Sequence, residues 1–338
     1  MQRGPERTTA RGQPFGDDGI PMIAPIIAPD EQPEPPPLHA LQADLIAVLV
    51  AVSSGAPRVM TLEGGRALPS GPFELGHRSL QSGLRAWVER QTHHPLGYVE
   101  QLYTFADKDR GGEGGARTIS ISYLGLTREM SGGEGGWRSW YEYFPWEDHR
   151  AGVPPVIGGL VAPALAGWSA AAPSRAERDH RRQRAITAFG LDDQPWNEEM
   201  TLQRYELLYE AGLVPEAHRT ATAADKTVPG TTMMGDHRRI LATGVARLRA
   251  KIKYRPVVFE LMPDTFTLLQ LQRCVEALAG RTVHKQNFRR LMEQQELVEE
   301  TGELTSEGIG RPAKLFRFRH AVLAERAFAG TKLPLARP

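Results

Sequence analysis

One stretch of this chain carries side chains of the right type and spacing to read a nucleic acid. In HKQNFRRLMEQQEL (residues 284–297), a 3.6-residue period buries Phe288, Leu291 and Met292 and turns Gln286, Asn287, Arg289 and Arg290 outward. Arginine pairs with guanine edges, and Asn or Gln with adenine, so this outer face suits a DNA major groove. Lys285 lies on the flank, better placed for a phosphate than for a base. Arg311 and Lys314, further along, are candidates for the minor groove or the backbone, whereas Arg317 and Arg319 read as solvent-facing.

Such a face works only if other elements hold it. The preceding run TLLQLQRCVEALAG (residues 267–280) has Thr267 and Gln270 at capping-box spacing, an apolar stripe at Leu268, Leu271, Val275 and Leu278, and a closing Gly280. After the second helix, a strand starts at Val298. A polar loop then ends in Gly310-Arg311-Pro312, and Leu315 to Arg319 alternates with Phe316 and Phe318 on one face. Helix, turn, helix and basic hairpin predict a winged helix over 257–330. Upstream, DLIAVLVAV (residues 44–52) predicts a buried strand, with further strands at 58–61, 98–105 and 118–126 and a helix at 79–91. The expected fold class is α+β, a mixed sheet with helices over 38–150. Residues 1–37 read as a disordered tail, 151–230 as a mostly helical insertion, and 231–256 as a connecting helix that could carry a dimer contact.

The net charge of +1 conceals an asymmetry: the chain up to residue 230 has 22 Lys and Arg against 29 Asp and Glu, and the remainder has 19 against 11. Basic charge concentrated with the helix pair is the footprint of a phosphate-binding module. A lone cysteine, Cys274, excludes an internal disulfide framework and reads as a core residue in a reducing compartment. No run of about 18 apolar residues marks a membrane span, and the expectation is a cytoplasmic protein without membrane contact. His93-His94, Asp148-His149 and Asp236-His237 read as caps or local hydrogen bonds rather than metal ligands. Trp137, Trp140, Tyr141 and Tyr143 read as core, and Gly111 to Gly115 lacks the Lys-Ser/Thr ending of a phosphate loop.

The loop and helix from Gly71 to His93 resemble the Nudix box. In an ungapped register from Gly71, Arg85 takes the Arg position, Trp87 the apolar one and Glu89 one of the paired Glu positions. His77, Ala86 and Arg90 stand where that box carries Glu. Nudix hydrolysis resembles metal-assisted attack of water on a diphosphate, and Mg²⁺ requires several oxygen ligands. The resemblance therefore implies a Nudix-like domain that binds rather than cleaves, with Gly71, Phe73, Arg85 and Glu89 as ligand-binding candidates and no catalytic or metal residues. Without a ligand role, Arg85 and Glu89 read as an exposed i,i+4 pair.

Together the two halves resemble the Nudix-related transcriptional regulators of bacterial NAD metabolism, with a segment after Trp146 like that of the alphaproteobacterial NAD regulator branch. The resemblance rests on DLIAVLVAV, LPSGPF, ISYLGL, Asp236-His237, VFELMPDTFTLLQLQRCVEALAGR, NFRRLMEQQELVEETGE and GRPAKLFRF, and covers residues 41–148 and 235–319. It implies a homodimeric repressor of NAD-biosynthesis genes that binds a palindromic operator in double-stranded DNA. It requires no cofactor and senses a small nucleotide such as NAD, ADP-ribose or ATP. The rival expectations are an active nucleotide-diphosphate hydrolase with an appended nucleic-acid module, and an adaptor that uses the winged helix to dock proteins.

Overall fold

A computed structural model describes residues 41–94, 96–106, 117–129, 136–218, 227–252, 257–305 and 312–319. Strand β1 (Leu41–Ser53) is apolar on both faces: Ile46, Val48 and Val50 enter one core cluster, and Leu45, Ala47 and Leu49 another. Successive side chains of a strand point to opposite faces, so an uninterrupted apolar run belongs in the middle of a covered sheet. The other strands are β2 (Ala56–Thr61), β3 (Ser70–Pro72), β4 (Tyr98–Phe105), β5 (Arg117–Leu126) and β6 (Gly136–Ser139). Their order is β4-β5-β1-β2-β6, with β3 also on β1. β1 runs parallel to β5, with Leu45 opposite Ile121, and the remaining pairs are antiparallel, giving the mixed sheet expected.

Helix α1 (Leu80–Thr92) covers one face, placing Leu84 and Val88 on the Leu45, Ala47 and Leu49 side. Ser79 and Ser82 form its capping box, and His93 closes it in the left-handed conformation. Helix α6 (His237–Ile252) covers the opposite face. A Cβ on its Gly244 would lie 2.8 Å from a methyl of Val48, so glycine permits the close approach. α6 is a central core helix rather than a connector with a free face: Ile240, Leu241, Val245 and Leu248 are all fully buried. Its apolar stripe is only approximate in sequence because two buried guanidiniums, Arg238 and Arg249, interrupt it.

Between sheet and α6 in sequence come α2 (Trp140–Tyr143), α3 (Ala162–Ala170), α4 (Arg175–Phe189) and α5 (Thr201–Glu210). Their buried side chains join the sheet's own core: Phe144 packs edge-on against Trp146 and Tyr205 at centroid distances of 6.1 and 6.2 Å. Of the aromatics read as core, Trp140 and Tyr143 are fully buried and Trp137 and Tyr141 half-buried, and Phe144 and Trp146 beyond them are fully buried as well.

The C-terminal part is a winged helix of α7 (Leu268–Ala279), α8 (Lys285–Gln294), β7 (Val298–Thr305) and β8 (Ala313–Phe318). The Thr267–Gln270 capping box forms, and Gly280 ends α7 at φ 72°. Phe266 and Phe316 exchange backbone hydrogen bonds of 2.9 and 2.8 Å, adding a bridge to the hairpin. The rings of Phe259 and Phe266 lie 3.9 and 4.6 Å from that of Phe318 and fill the space beneath it. Among the described residues, no helix is long and apolar enough to cross a membrane. The expected tail over 1–37, the Gly111–Gly115 loop and residues 320–330 lie outside the described residues.

Candidate nucleic-acid interface and ligand surface

Helix α8 is anchored by Phe288 and Met292, one turn apart and both buried. Lys285, Gln286, Asn287, Arg289 and Arg290 are exposed as the period predicts. Leu291, expected in the core, is instead 45% exposed. The helix contributes only the Phe288–Met292 row to its contact with the domain, and Leu291, rotated about 100° from Met292, falls on the flank beside Asn287 and Gln294. Among the described residues, none of Lys285, Arg289 and Arg290 makes an ion pair.

The hairpin differs. The Nζ of Lys314 lies 2.8 and 2.9 Å from the two carboxylate oxygens of Glu300 on β7. Arg317 reaches Glu299 at 2.7 Å, and Arg319 reaches Glu296 at 3.0 Å. The antiparallel register places Arg317 directly opposite Glu299, which explains pairs that the separate strand sequences do not reveal. Free positive charge therefore sits on α8, while the described basic residues of the wing start out paired with carboxylates. Arg311 lies outside the described residues.

On the α1 side, Gly71 is fixed by contact: a Cβ there would fall inside the ring of Trp87. The Trp87 indole donates to the carbonyl of Pro72 at 2.9 Å, and the Arg90 guanidinium lies 4.6 Å from the centroid of the Trp87 ring. Gln91 holds both backbone groups of Ser70, at 2.9 and 3.1 Å. Arg85 donates to the carbonyls of Leu96 and Gly97, so the guanidinium braces the loop after the helix instead of pairing with Glu89. Glu89 is exposed, and Phe73 is 38% exposed with its ring 5.9 Å from His77. His77 takes a hydrogen bond from the backbone N–H of Glu74 and lies against Gly83.

These residues do not fit the divalent cation of Nudix chemistry. Ala86 offers no oxygen, Arg90 brings positive charge, and Glu100 is bound to Lys251 and to Tyr98. Phe73, Glu74 and Glu89 are each exposed, the first able to stack and the carboxylates able to accept hydrogen bonds.

Sequence reasoning missed a buried charge cluster. Glu147, fully buried, receives Arg204 at 2.5 and 2.8 Å, and also Arg249. Burial alone would push the Glu147 carboxyl up, but the two guanidiniums outweigh it and hold it below the usual range. The partners lie 57 and 102 residues away in the chain, too far for any local pattern to reveal them. Cys274 is buried and its thiol is pushed up to about 12 by burial, in keeping with a packing role.

Residues 258–318 match the NrtR DNA-binding winged helix domain. The ADPR responsive transcriptional repressor NtrR of Acinetobacter baylyi is 41% identical over 83 residues, which are 25% of this chain and 33% of that protein. The chain thus spans about a third of the length of that curated relative. Among solved structures, Shewanella oneidensis NrtR complexed with a 27mer DNA aligns with TM-score 0.50 and 18% identity, over 83% of this chain and 95% of that one. At that identity the likeness speaks for the fold: a Nudix-like sheet with helices, followed by a winged helix. A MutT/nudix family protein from Enterococcus faecalis aligns with TM-score 0.47 and 14% identity, over 85% of this chain and 89% of that one.

Proposed function

We propose that this chain, whose residues 258–318 match the NrtR-type DNA-binding winged helix, is a transcriptional repressor with a Nudix-like domain that senses an adenine nucleotide. The observation that carries the reading is the exposed face of α8, where three cations without ion pairs among the described residues flank the amide side chains of Gln286 and Asn287. Cations release phosphate counterions, and amide and guanidinium groups read base edges, so one face supplies both affinity and specificity. The genes controlled are those of NAD biosynthesis.

ADP-ribose is the favoured effector, supported by the response named for the Acinetobacter relative; NAD and ATP share its adenine nucleotide. It binds on the α1 side of the sheet near Phe73 and Glu89. Without the carboxylates at 86 and 90 it is held rather than hydrolysed. A single winged helix reads one half-site, so the working unit is a homodimer on a palindromic operator. Effector binding alters operator affinity by favouring one of two arrangements of the winged helices.

The test is a gel shift of the full chain on its own upstream region and on NAD-biosynthesis promoters, with and without ADP-ribose, NAD and ATP. The expected result is salt-sensitive binding to at least one promoter that changes with ADP-ribose. Binding that ignores salt, or that no nucleotide alters, would defeat the proposal.

A further inference from the structure

An α-helix leaves its last carbonyls without partners inside the helix. At the end of α7, three of these acceptors are met from outside the winged helix. The hydroxyl of Tyr141 donates to the carbonyl of Ala277 at 2.7 Å, and Nε of Arg249 donates to that of Leu278 at 2.9 Å. The backbone N–H of His149 donates to the carbonyl of Gly280 at 2.6 Å. One residue on, Arg281 pairs with Glu198 at 3.1 Å. The space is closed as well: a Cβ on Gly280 would meet the backbone of Glu147, with Arg249 at 2.7 Å and the Tyr141 hydroxyl at 3.1 Å.

These donors converge on one segment. Glu147 anchors Arg249 and Arg204, and Thr201 adds a hydroxyl at 3.1 Å. The ring of His149 stacks on Trp196 at 4.0 Å, and Arg204 lies 5.0 Å from the centre of the same indole. At its other end the segment begins in β6, where Trp137 meets His94 edge-on at 5.5 Å, immediately past the end of α1. The chain from Trp137 to His149 therefore runs from the helix beside the candidate ligand surface to the last turn of the helix that precedes α8.

We propose that residues 137–149, buttressed by Glu198, Thr201 and Arg204 from the helical segment that follows, position the winged helix on the sheet and carry effector occupancy at α1 to α8. This rests on the function proposed above. It also assigns the inserted helices a task, holding the segment against α7. The clamp joins elements that are far apart in sequence, so loosening it frees α7 and α8 to turn as a unit. Effector and DNA that each favour one of the clamped and loosened arrangements change one another's affinity by the same factor.

Two near-isosteric variants of the full chain test this. Tyr141→Phe deletes the donor to Ala277, and Glu198→Gln removes the charge facing Arg281; neither residue lies on the ligand surface or on α8. Each variant is measured for ADP-ribose affinity without DNA and for duplex affinity with and without ADP-ribose, using a duplex enriched by the wild type from a randomised pool. Amide exchange is followed across 268–294. The expected result is retained ADP-ribose binding, a ratio of duplex affinities at least about threefold smaller, and faster exchange confined to α7 and α8. A wild-type ratio in both variants would overturn the proposal. If the wild type itself ignores ADP-ribose or binds no duplex, the functional reading fails, and exchange decides the clamp: unchanged protection of α7 in both variants refutes it.

Discussion

The division of charge between α8 and the wing yields a measurable asymmetry in salt dependence. Lys285, Arg289 and Arg290 stand on α8 without ion pairs among the described residues, whereas Lys314 and Arg317 sit on Glu300 and Glu299. A cation that neutralises a phosphate contributes about −0.9 to the slope of log K against log salt. A fourfold rise in salt therefore costs roughly 3.5-fold in affinity for each contact, or about twelvefold when both halves of a dimer make it. Arg290→Ala should flatten the slope by about 0.9 per chain. Lys314→Ala should leave the slope nearly unchanged, because the Lys314–Glu300 pair contributes no free charge to exchange for a phosphate. The assay is fluorescence anisotropy of a labelled duplex at a series of KCl concentrations with both variants and the wild type. Equal flattening by Arg290→Ala and Lys314→Ala would show that the wing pairs open on DNA, and the charge division would then be wrong.

Other perturbations test the interior. Glu147→Gln leaves two guanidiniums facing a neutral amide in a fully buried site, and urea denaturation should show a loss of about 3–5 kcal/mol; less than about 1 kcal/mol would mean that solvent reaches the cluster. Gly152→Ala, at a positive φ in open space, should lower stability by about 1–3 kcal/mol through backbone strain alone, and Gly280→Ala, where a Cβ also has no room, should lower it by more in the same assay. Burial holds the His149 imidazole below its ordinary 6.5, so under that pH the unfolded chain takes up a proton that the folded chain resists. Stability should fall on acidification through this window, and His149→Gln should remove that part of the loss. The Glu147 contribution is present above the ordinary carboxylate value of 4.5 and disappears as pH falls through the lower folded value, so a second, steeper acid loss should remain in His149→Gln and vanish in Glu147→Gln.

Much of the fold is legible in the sequence because its signals are local. The apolar run of β1, the capping box at Thr267, the closing Gly280 and the Phe288–Met292 row each sit within a few residues of one another, and each appears where the spacing places it. The exposed basic face of α8 is legible for the same reason. What the sequence hides is non-local. α6 reads as a connector because Arg238 and Arg249 interrupt its stripe, and only the fold shows that Glu216 and Glu147 satisfy them. Lys314 reads as a free cation until strand register sets Glu300 near it. Arg85 reads as a ligand group or a partner of Glu89, but the loop at Leu96 and Gly97 returns to take it. Leu291 reads as core because helical periodicity counts apolar residues without knowing how wide the covered face is.

Strand β1 also constrains how the chain can come to be folded. Its parallel partner β5 lies beyond β2, β3, α1 and β4 in sequence, and the α6 glycine that closes over Val48 comes later still. Non-local pairings of this kind slow folding, because the intervening chain must lose its freedom before any contact rewards it. During synthesis, DLIAVLVAV emerges before β5 as an apolar segment with strong strand propensity and can pair only with β2 and the short β3 until Ile121 arrives. Chains ended before Arg117 should therefore aggregate, and full-length chains should depend on chaperone shelter in that interval.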